Sequence, residues 1–137
     1  MSYLLDTNVI SELRKGDRAD PGVTSWFGGL ADEEIFLSVL TLGEIRRGIE
    51  NIRRRDPRAA GALESWLGRI SEMHRDRVLP LDRSVAEEWG RMNVPDPLPV
   101  IDSLLAATAK VTGLTLATRN TADIARTGVA LVDPFVR

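Results

Sequence analysis

The chain has 137 residues, of which 43% are hydrophobic, and carries 18 Lys and Arg against 20 Asp and Glu. This length is typical of one domain with a real core, which excludes disordered and fibrous classes. The lack of cysteine excludes disulfide, zinc–thiolate and iron–sulfur sites, and the net charge of −2 argues against a non-specific nucleic-acid coat protein. No apolar run reaches the roughly 20 residues that span a bilayer, so we expect one soluble, cytoplasmic domain over residues 1–137 with no membrane contact.

Short apolar runs alternate with longer segments of helical period. The runs predict five strands, at residues 3–5, 35–37, 78–79, 114–117 and 130–132. Asp20 and Asp56 each precede a proline, which is typical of a helix N-cap followed by the first helical residue, and Asp82 is predicted to cap a further helix. The segment 41–44 fits a capping box, and Gly113 is predicted to end a helix over 100–111.

Strands separated by helices imply parallel pairing through right-handed crossovers. We therefore predict an α/β fold, a three-layer sandwich with a central, mostly parallel five-stranded sheet flanked by helices.

Four acidic residues fall near the ends of these predicted strands. Asp6 comes directly after the first strand, and Glu44 lies in the first turn of the helix after the second strand. Asp123 follows the fourth strand, and Asp102 lies near the start of the helix that precedes it. Because ligands bind beyond the carboxyl ends of parallel strands, these four acids are the candidate functional residues.

Each acid also has a purely structural interpretation. Asp6 and Asp123 could simply cap helices, and Glu44 could be only the second member of the capping box. Asp102 is harder to explain in this way, because its edge of the helix carries small residues and no Lys or Arg lies within one turn. A semi-buried carboxylate without a partner is costly.

A cluster of four carboxylates favours a bound cation. Two carboxylates about 4 Å apart repel by roughly 4 kcal/mol at an effective dielectric constant of ~20, and oxygen ligands favour Mg²⁺ or Mn²⁺ over Zn²⁺. The single histidine, His74, lies in a polar segment and is predicted to be a surface residue, which leaves no nucleophilic triad. No glycine-rich phosphate-binding loop is present. Metal-activated hydrolysis of a phosphodiester is therefore the favoured reaction.

Four segments, in order, resemble the motifs of PIN domains. They are YLLDTNVISEL at 3–13, SVLTLGEI at 38–45, LPVIDSLLAATA at 98–109 and GLTLATRNTAD at 113–123, followed by residues 129–135 as the usual last strand. The similarity spans nearly the whole chain and is greatest to VapC toxins, including the FitB-like branch. It implies a metal-dependent endoribonuclease that is the toxin of a type II toxin–antitoxin system.

The resemblance also implies roles for individual residues. Asp6, Glu44, Asp102 and Asp123 would hold one or two Mg²⁺ or Mn²⁺ ions, with Asp6 and Asp102 as the nearest ligands. A supporting polar shell would consist of Thr7, Asn8, Thr118 and Asn120. Members of the family usually form homodimers that assemble with a VapB-like antitoxin, whose other end binds operator DNA.

The segment 46–58 is strongly basic. Its six arginines outnumber Glu50 and Asp56, giving a local charge of +4. Arg46 and Arg47 could contact substrate phosphate or an antitoxin, although a solvated helix face explains them equally well.

Two alternatives to a nuclease are considered. One is a PIN-like binding module that acts through antitoxin and operator complexes without significant nuclease activity. The other is a receiver-like phosphoacceptor domain, which the sequence disfavours because Asp6 has no adjacent acid and neither Lys15 nor Lys110 is suitably placed.

Overall fold

A computed structural model describes residues 1–135 of the chain. Over this range the strands are β1 (Tyr3–Leu5), β2 (Ile35–Ser38), β3 (Val78–Leu79), β4 (Thr115–Ala117) and β5 (Leu131–Val132). The helices are α1 (Thr7–Leu13), α2 (Pro21–Gly28), α3 (Val39–Arg53), α4 (Pro57–Met73), α5 (Arg83–Met92), α6 (Val100–Thr112) and α7 (Thr121–Ile124). Short 3₁₀ turns lie at Gly16–Arg18, Asp32–Glu34, Arg75–Arg77 and Ala125–Thr127. The five predicted strands are confirmed.

The strands form one sheet in the order β3-β2-β1-β4-β5, and every neighbouring pair is parallel. From β1 the chain builds outward first through β2 and β3, and then on the other side through β4 and β5. The strand order therefore reverses between β1 and β4, which is the switch point where open parallel sheets place their ligands. The predicted α/β fold is confirmed.

Helices cover both faces of the sheet. Leu5 and Leu37 face a core built with α1 to α4, to which Val9 and Ile49 contribute. Leu4, which points to the opposite face of the pleated strand, packs instead in a second core with residues of α6 and α7. Burial on both faces explains why the strands are continuous apolar runs.

The helix boundaries largely follow the predicted caps. Carboxylates of Asp20, Asp56 and Asp82 accept hydrogen bonds from backbone amides at the starts of α2, α4 and α5. Gly113 ends α6 with a φ of +74°, a conformation that favours glycine. Within residues 1–135, none of these helices is long and apolar enough to cross a membrane.

The predicted capping box at 41–44 is wrong. Helix α3 begins three residues earlier than predicted, at Val39, and its N-cap is Ser38, whose Oγ accepts a 3.0 Å hydrogen bond from the amide of Leu40. Thr41 is consequently inside the helix and buried. Glu44 therefore does not take part in capping α3.

The predicted surface position of His74 is also wrong. This residue is the C-cap of α4, and its ring is only 6% exposed. Its Nδ1 lies 3.0 Å from the carbonyl oxygen of Ile70. His74 lines a cavity of about 170 Å³ together with Leu13 of α1, Phe27 of α2 and Trp66 of α4. Its polar sequence neighbours are exposed, which is why the sequence suggested a solvated segment.

Candidate active site

Asp6 lies at the centre of the candidate site, at the end of β1. Its backbone amide donates to the carbonyl of Ala117 at 2.9 Å, which extends the β1–β4 pairing by one residue. Its side chain is the N-cap of α1, since Oδ1 accepts from the amide of Thr7 at 2.6 Å. Asp6 is only 5% exposed. The capping interpretation of Asp6 is therefore correct but incomplete, because Oδ2 faces other groups.

Oδ2 of Asp6 is held by side chains from two elements. The hydroxyl of Thr118, just after β4, donates to it at 2.7 Å, and the amide of Asn8 donates at 3.2 Å. Thr118 in turn accepts from the backbone amide of Asn120 at 3.0 Å, and Oδ1 of Asn8 accepts from the amide of Arg119 at 3.3 Å. The predicted polar residues thus form one network across the switch point.

Glu44 joins the site through Thr7. The side-chain hydroxyl of Thr7 donates to Oε1 of Glu44, so the start of α1 is linked to the second turn of α3. Position 44 is partly exposed, and it faces a concavity of about 280 Å³ beside Gly43 and Arg47.

Asp102 and Asp123 approach from the other side of the switch point. Asp102 lies in the first turn of α6, and its polar interaction with the side chain of Asn120 lowers its pKa. Asp123 is the third residue of α7 and is exposed. It therefore does not cap that helix, whose N-cap is Asn120, and the capping interpretation of Asp123 is wrong.

The four acids share one electrostatic environment. Burial, above all, raises the pKa of Asp6, and the charges of Asp102 and Glu44 raise it further, against hydrogen bonds from Thr118 and Thr7. Burial likewise raises the pKa of Asp102, followed by the charge of Asp123, while Asn120 lowers it and Glu44 raises it. No ion pair among residues 1–135 involves any of these acids.

The oxygen atoms of these side chains are suitable ligands for a hard divalent cation. Its members are carboxylates, supported by amide and hydroxyl oxygens, and their mutual repulsion would be relieved by a positive ion. In the described part of the chain, however, no three acidic or histidine side chains are close enough together to form a ready metal cage. The acids therefore lie in one region of the structure, but their side chains do not surround a common point.

Arg46 and Arg47 lie on different sides of α3. Arg47 lines the same concavity as Glu44. Arg46 instead forms ion pairs with Glu50 at 3.2 Å and with Glu64 at 3.5 Å, away from that concavity.

One supporting contact was not predicted from the sequence. The indole Nε1 of Trp89 donates to Oγ of the buried Ser103 at 2.9 Å, and Ser103 also donates to the carbonyl of Val100 at 3.0 Å. These bonds fix α5 against the first turn of α6, next to Asp102. The position of Ser103, directly after the candidate acid Asp102, could have suggested a supporting role. Its partner Trp89 lies 14 residues away in the sequence and could not be identified from local patterns.

Residues 3–129 match the PIN domain family. The chain is a PIN-domain protein. This PIN domain is 31% identical to Toxin FitB of Neisseria gonorrhoeae over 138 residues, which cover 96% of this chain and 97% of FitB. It is 32% identical to VapC ribonuclease Y4jK of Sinorhizobium fredii over 139 residues, covering 96% of each chain. The PIN domain therefore belongs to the VapC/FitB toxin family, as the four motifs predicted.

Solved structures agree with this assignment. The crystal structure of FitAcB from Neisseria gonorrhoeae superposes on this PIN domain with a TM-score of 0.88 and 31% identity, covering 96% of this chain and 97% of that one. A structure of FitAB bound to an IR36 DNA fragment gives a TM-score of 0.88 at 29% identity, covering 98% and 96%. The PIN fold predicted from the motifs is confirmed.

Proposed function

We propose that this chain is a Mg²⁺-dependent endoribonuclease, the toxin of a type II toxin–antitoxin system, which hydrolyses RNA phosphodiester bonds and is inhibited by a cognate antitoxin. Its family membership and the ribonuclease name of the Sinorhizobium relative support the reaction class. The observation that carries the proposal is the placement of four acids around the switch point of the sheet, where the charges of the other acids raise the pKa values of Asp6 and Asp102 and no ion pair among residues 1–135 involves any of the four.

We assign the ligand roles by burial and contact. Asp6 and Asp102, which have raised pKa values, would hold the ion directly, whereas Glu44 and the exposed Asp123 would act partly through water. Mn²⁺ would be an acceptable substitute, because it shares the preference of Mg²⁺ for oxygen ligands. When bound, such an ion lowers the pKa of a coordinated water and stabilises the charge that develops on the phosphate.

The supporting residues would orient the acids before an ion arrives. Thr118 and Asn8 direct Oδ2 of Asp6, and Thr7 holds Glu44. Asn120 interacts with Asp102, whose pKa it lowers, and its backbone amide donates to the hydroxyl of Thr118. Because these bonds favour the ionised carboxylates, they would keep the acids ready to bind a cation at neutral pH.

The expected partners follow from the relatives. Solved complexes of similar chains are described as FitAcB and as FitAB bound to a DNA fragment. We therefore propose that this chain forms a homodimer in the cytoplasm, binds a VapB-like antitoxin and joins a larger assembly on operator DNA.

A second candidate is a binding module without significant nuclease activity. The observation that favours it is that no metal cage is preformed among the described residues. In this case antitoxin and operator binding would be the whole function, and the acids would have no catalytic role.

The two candidates differ in a cleavage assay. Purified protein is incubated with total cellular RNA in the presence of Mg²⁺, Mn²⁺ or a chelator, and the same is done with Asp102→Asn. Asp17→Asn, which removes an exposed acid outside the site, is the matched control. The nuclease predicts discrete fragments that require metal, persist in Asp17→Asn and disappear in Asp102→Asn. Fragments that form without metal, or equal cleavage by Asp102→Asn, would overturn the assignment of the acids as a metal site. If the protein does not cleave RNA but still binds the antitoxin, the binding module is favoured.

A further inference from the structure

Five of the six arginines of segment 46–58 fall into two groups that face different directions, and the sixth, Arg58, lies in the first turn of α4. Arg46 and Arg53 are neutralised by acids of the α3–α4 pair. Both contact Glu50, at 3.2 and 3.0 Å, and both contact Glu64 on α4. These two arginines therefore hold the helix pair together and add little net charge to the surface.

The second group carries its charge without such partners. Arg47, Arg54 and Arg55 are exposed, and among residues 1–135 their side chains form no ion pair or hydrogen bond with another side chain. Most of the local excess of positive charge is thus available on this side of α3.

The free group lies on the same face as the active-site acid Glu44. At about 100° per residue, positions 44, 47, 48 and 51 of α3 share one face about 100° wide, while 46 and 53 lie beyond it. Arg54 is the C-cap of α3 and Arg55 follows it, and both line a concavity with Gly48 and Asn51 of that face. Ten residues at about 1.5 Å each place Arg54 about 15 Å along the axis from Glu44. A line of positive side chains therefore leads away from the catalytic site.

Two concavities follow one another along this face. The first, about 280 Å³, is lined by Gly43, Glu44 and Arg47, among others. The second, about 510 Å³, is lined by Gly48, Asn51, Ile52, Arg54 and Arg55. Apart from its chain neighbours and the backbone of its own helix, Gly48 has no atom within 4 Å of where a Cβ would be, so a ligand backbone can approach the helix closely there.

We propose that this face, which we call the α3 track (Arg47, Asn51, Arg54 and Arg55), binds the phosphates of single-stranded RNA and leads the strand to the acids. The inference rests on the proposed ribonuclease function and extends it to the path of the substrate. At about 3.4 Å per stacked nucleotide, about 15 Å of track spans roughly four or five phosphates. A protein segment is the less suitable occupant of the second concavity, because peptide recognition depends on apolar anchors and Ile52 is the one apolar side chain among residues 1–135 that lines it. The first concavity is lined in addition by Val39, Leu40 and Ile101, so antitoxin binding is measured alongside RNA binding.

The test compares two double variants that remove the same charge from the two sides of α3. Arg54→Gln/Arg55→Gln alters the track, and Arg46→Gln/Arg53→Gln is the matched control. Both are made in the Asp102→Asn background so that the RNA stays intact, and binding of a fluorescent single-stranded RNA of mixed sequence is measured at several salt concentrations. Each phosphate contact contributes about −0.7 to the slope of log K against log salt for a single strand.

The track predicts a specific change in that slope. Arg54→Gln/Arg55→Gln should weaken binding and make the slope shallower by about 1.4, whereas Arg46→Gln/Arg53→Gln should leave both unchanged. Arg54→Lys/Arg55→Lys, which keeps the charge, should restore the slope. Thermal melting establishes that each variant is folded.

Three results would overturn the inference, and they differ in what else they affect. If the two double variants have equal slopes and the unaltered protein still cleaves RNA, the α3 track is rejected and the proposed ribonuclease function is retained. Absence of both RNA binding and cleavage in the unaltered protein removes the proposed function as well. Loss of antitoxin binding by Arg54→Gln/Arg55→Gln with an unchanged RNA slope assigns this face to the antitoxin.

Discussion

The hydroxyl of Thr118 donates a 2.7 Å hydrogen bond to Oδ2 of Asp6, a residue 112 positions earlier in the chain. The two residues follow the adjacent strands β4 and β1, so this bond closes the switch point of the sheet. Both side chains are buried. Burial has the largest effect on the pKa of Asp6 and raises it, and this hydrogen bond is the largest of the effects that lower it.

We expect Thr118→Val to destabilise the protein and to disturb the site. The variant keeps the shape of the side chain but removes a hydrogen bond to a charged group, which is worth about 2 kcal/mol. It also raises the pKa of Asp6 further, because Thr118 is the largest of the effects that lower it. Urea denaturation should show the loss of stability, and the acid limb of RNA cleavage should move to higher pH. Thr118→Ser retains the hydroxyl, so its acid limb should stay in place; an unshifted limb in Thr118→Val would contradict the role of this bond.

Without metal, Asp102→Asn should be more stable than the unaltered protein at neutral pH. The pKa of Asp102 is raised in the folded state, mainly by burial and then by the charge of Asp123. Such a group favours folding below its unfolded pKa of about 4, and this stability is lost as pH rises through the raised folded value. The advantage of Asp102→Asn should therefore be small at about pH 4 and grow towards pH 7.

Urea denaturation across this pH range, in the presence of a chelator, measures the difference directly. Asp17→Asn removes an exposed acid outside the site and serves as the control. A variant that is less stable than the unaltered protein at every pH would mean that Asp102 has a stabilising partner in solution.

Divalent cations should reverse this order of stability. If Asp6 and Asp102 hold the ion, Mg²⁺ should raise the melting temperature of the unaltered protein, by the equivalent of about 2.7 kcal/mol at one hundred times its dissociation constant. The gain should be larger at about pH 8 than at about pH 5, since protons compete for the carboxylates. Asp102→Asn should lose most of the gain. An equal gain in both proteins would place the ion elsewhere.

Much of this fold could be predicted from local patterns. The buried runs such as residues 3–5 and 115–117 are strands because both of their faces are covered, and the Asp-Pro pairs at 20–21 and 56–57 begin helices where proline favours the first turn. The four acids could be selected because each lies near a strand end. Their shared environment follows from sheet order, which the alternation of strands and helices largely determines.

Two features that the sequence did not reveal depend on contacts that are distant in sequence, whereas the capping-box error is local. His74 is buried by α1 and α2, which no local pattern around residue 74 indicates. The six arginines of segment 46–58 look equivalent in sequence, and only the packing of α4 against α3 separates the pairs with Glu64 from the free side chains. The capping box failed because Ser38 starts the helix first and leaves Thr41 inside it.

The last prediction concerns Thr41, the residue wrongly predicted to be the N-cap of α3. Thr41 is fully buried, and its Oγ1 has no hydrogen-bond partner among residues 1–135. Thr41→Val preserves the branched shape and the similar helix propensity while removing a buried hydroxyl, so it should stabilise the protein by about 1 kcal/mol. Thr41→Ser keeps the hydroxyl and loses a methyl group, so it should destabilise by about 1 kcal/mol. The urea midpoint should therefore be highest for Thr41→Val, intermediate for the unaltered protein and lowest for Thr41→Ser. A lower midpoint for Thr41→Val than for the unaltered protein would show that the Thr41 hydroxyl has a hydrogen-bond partner in solution.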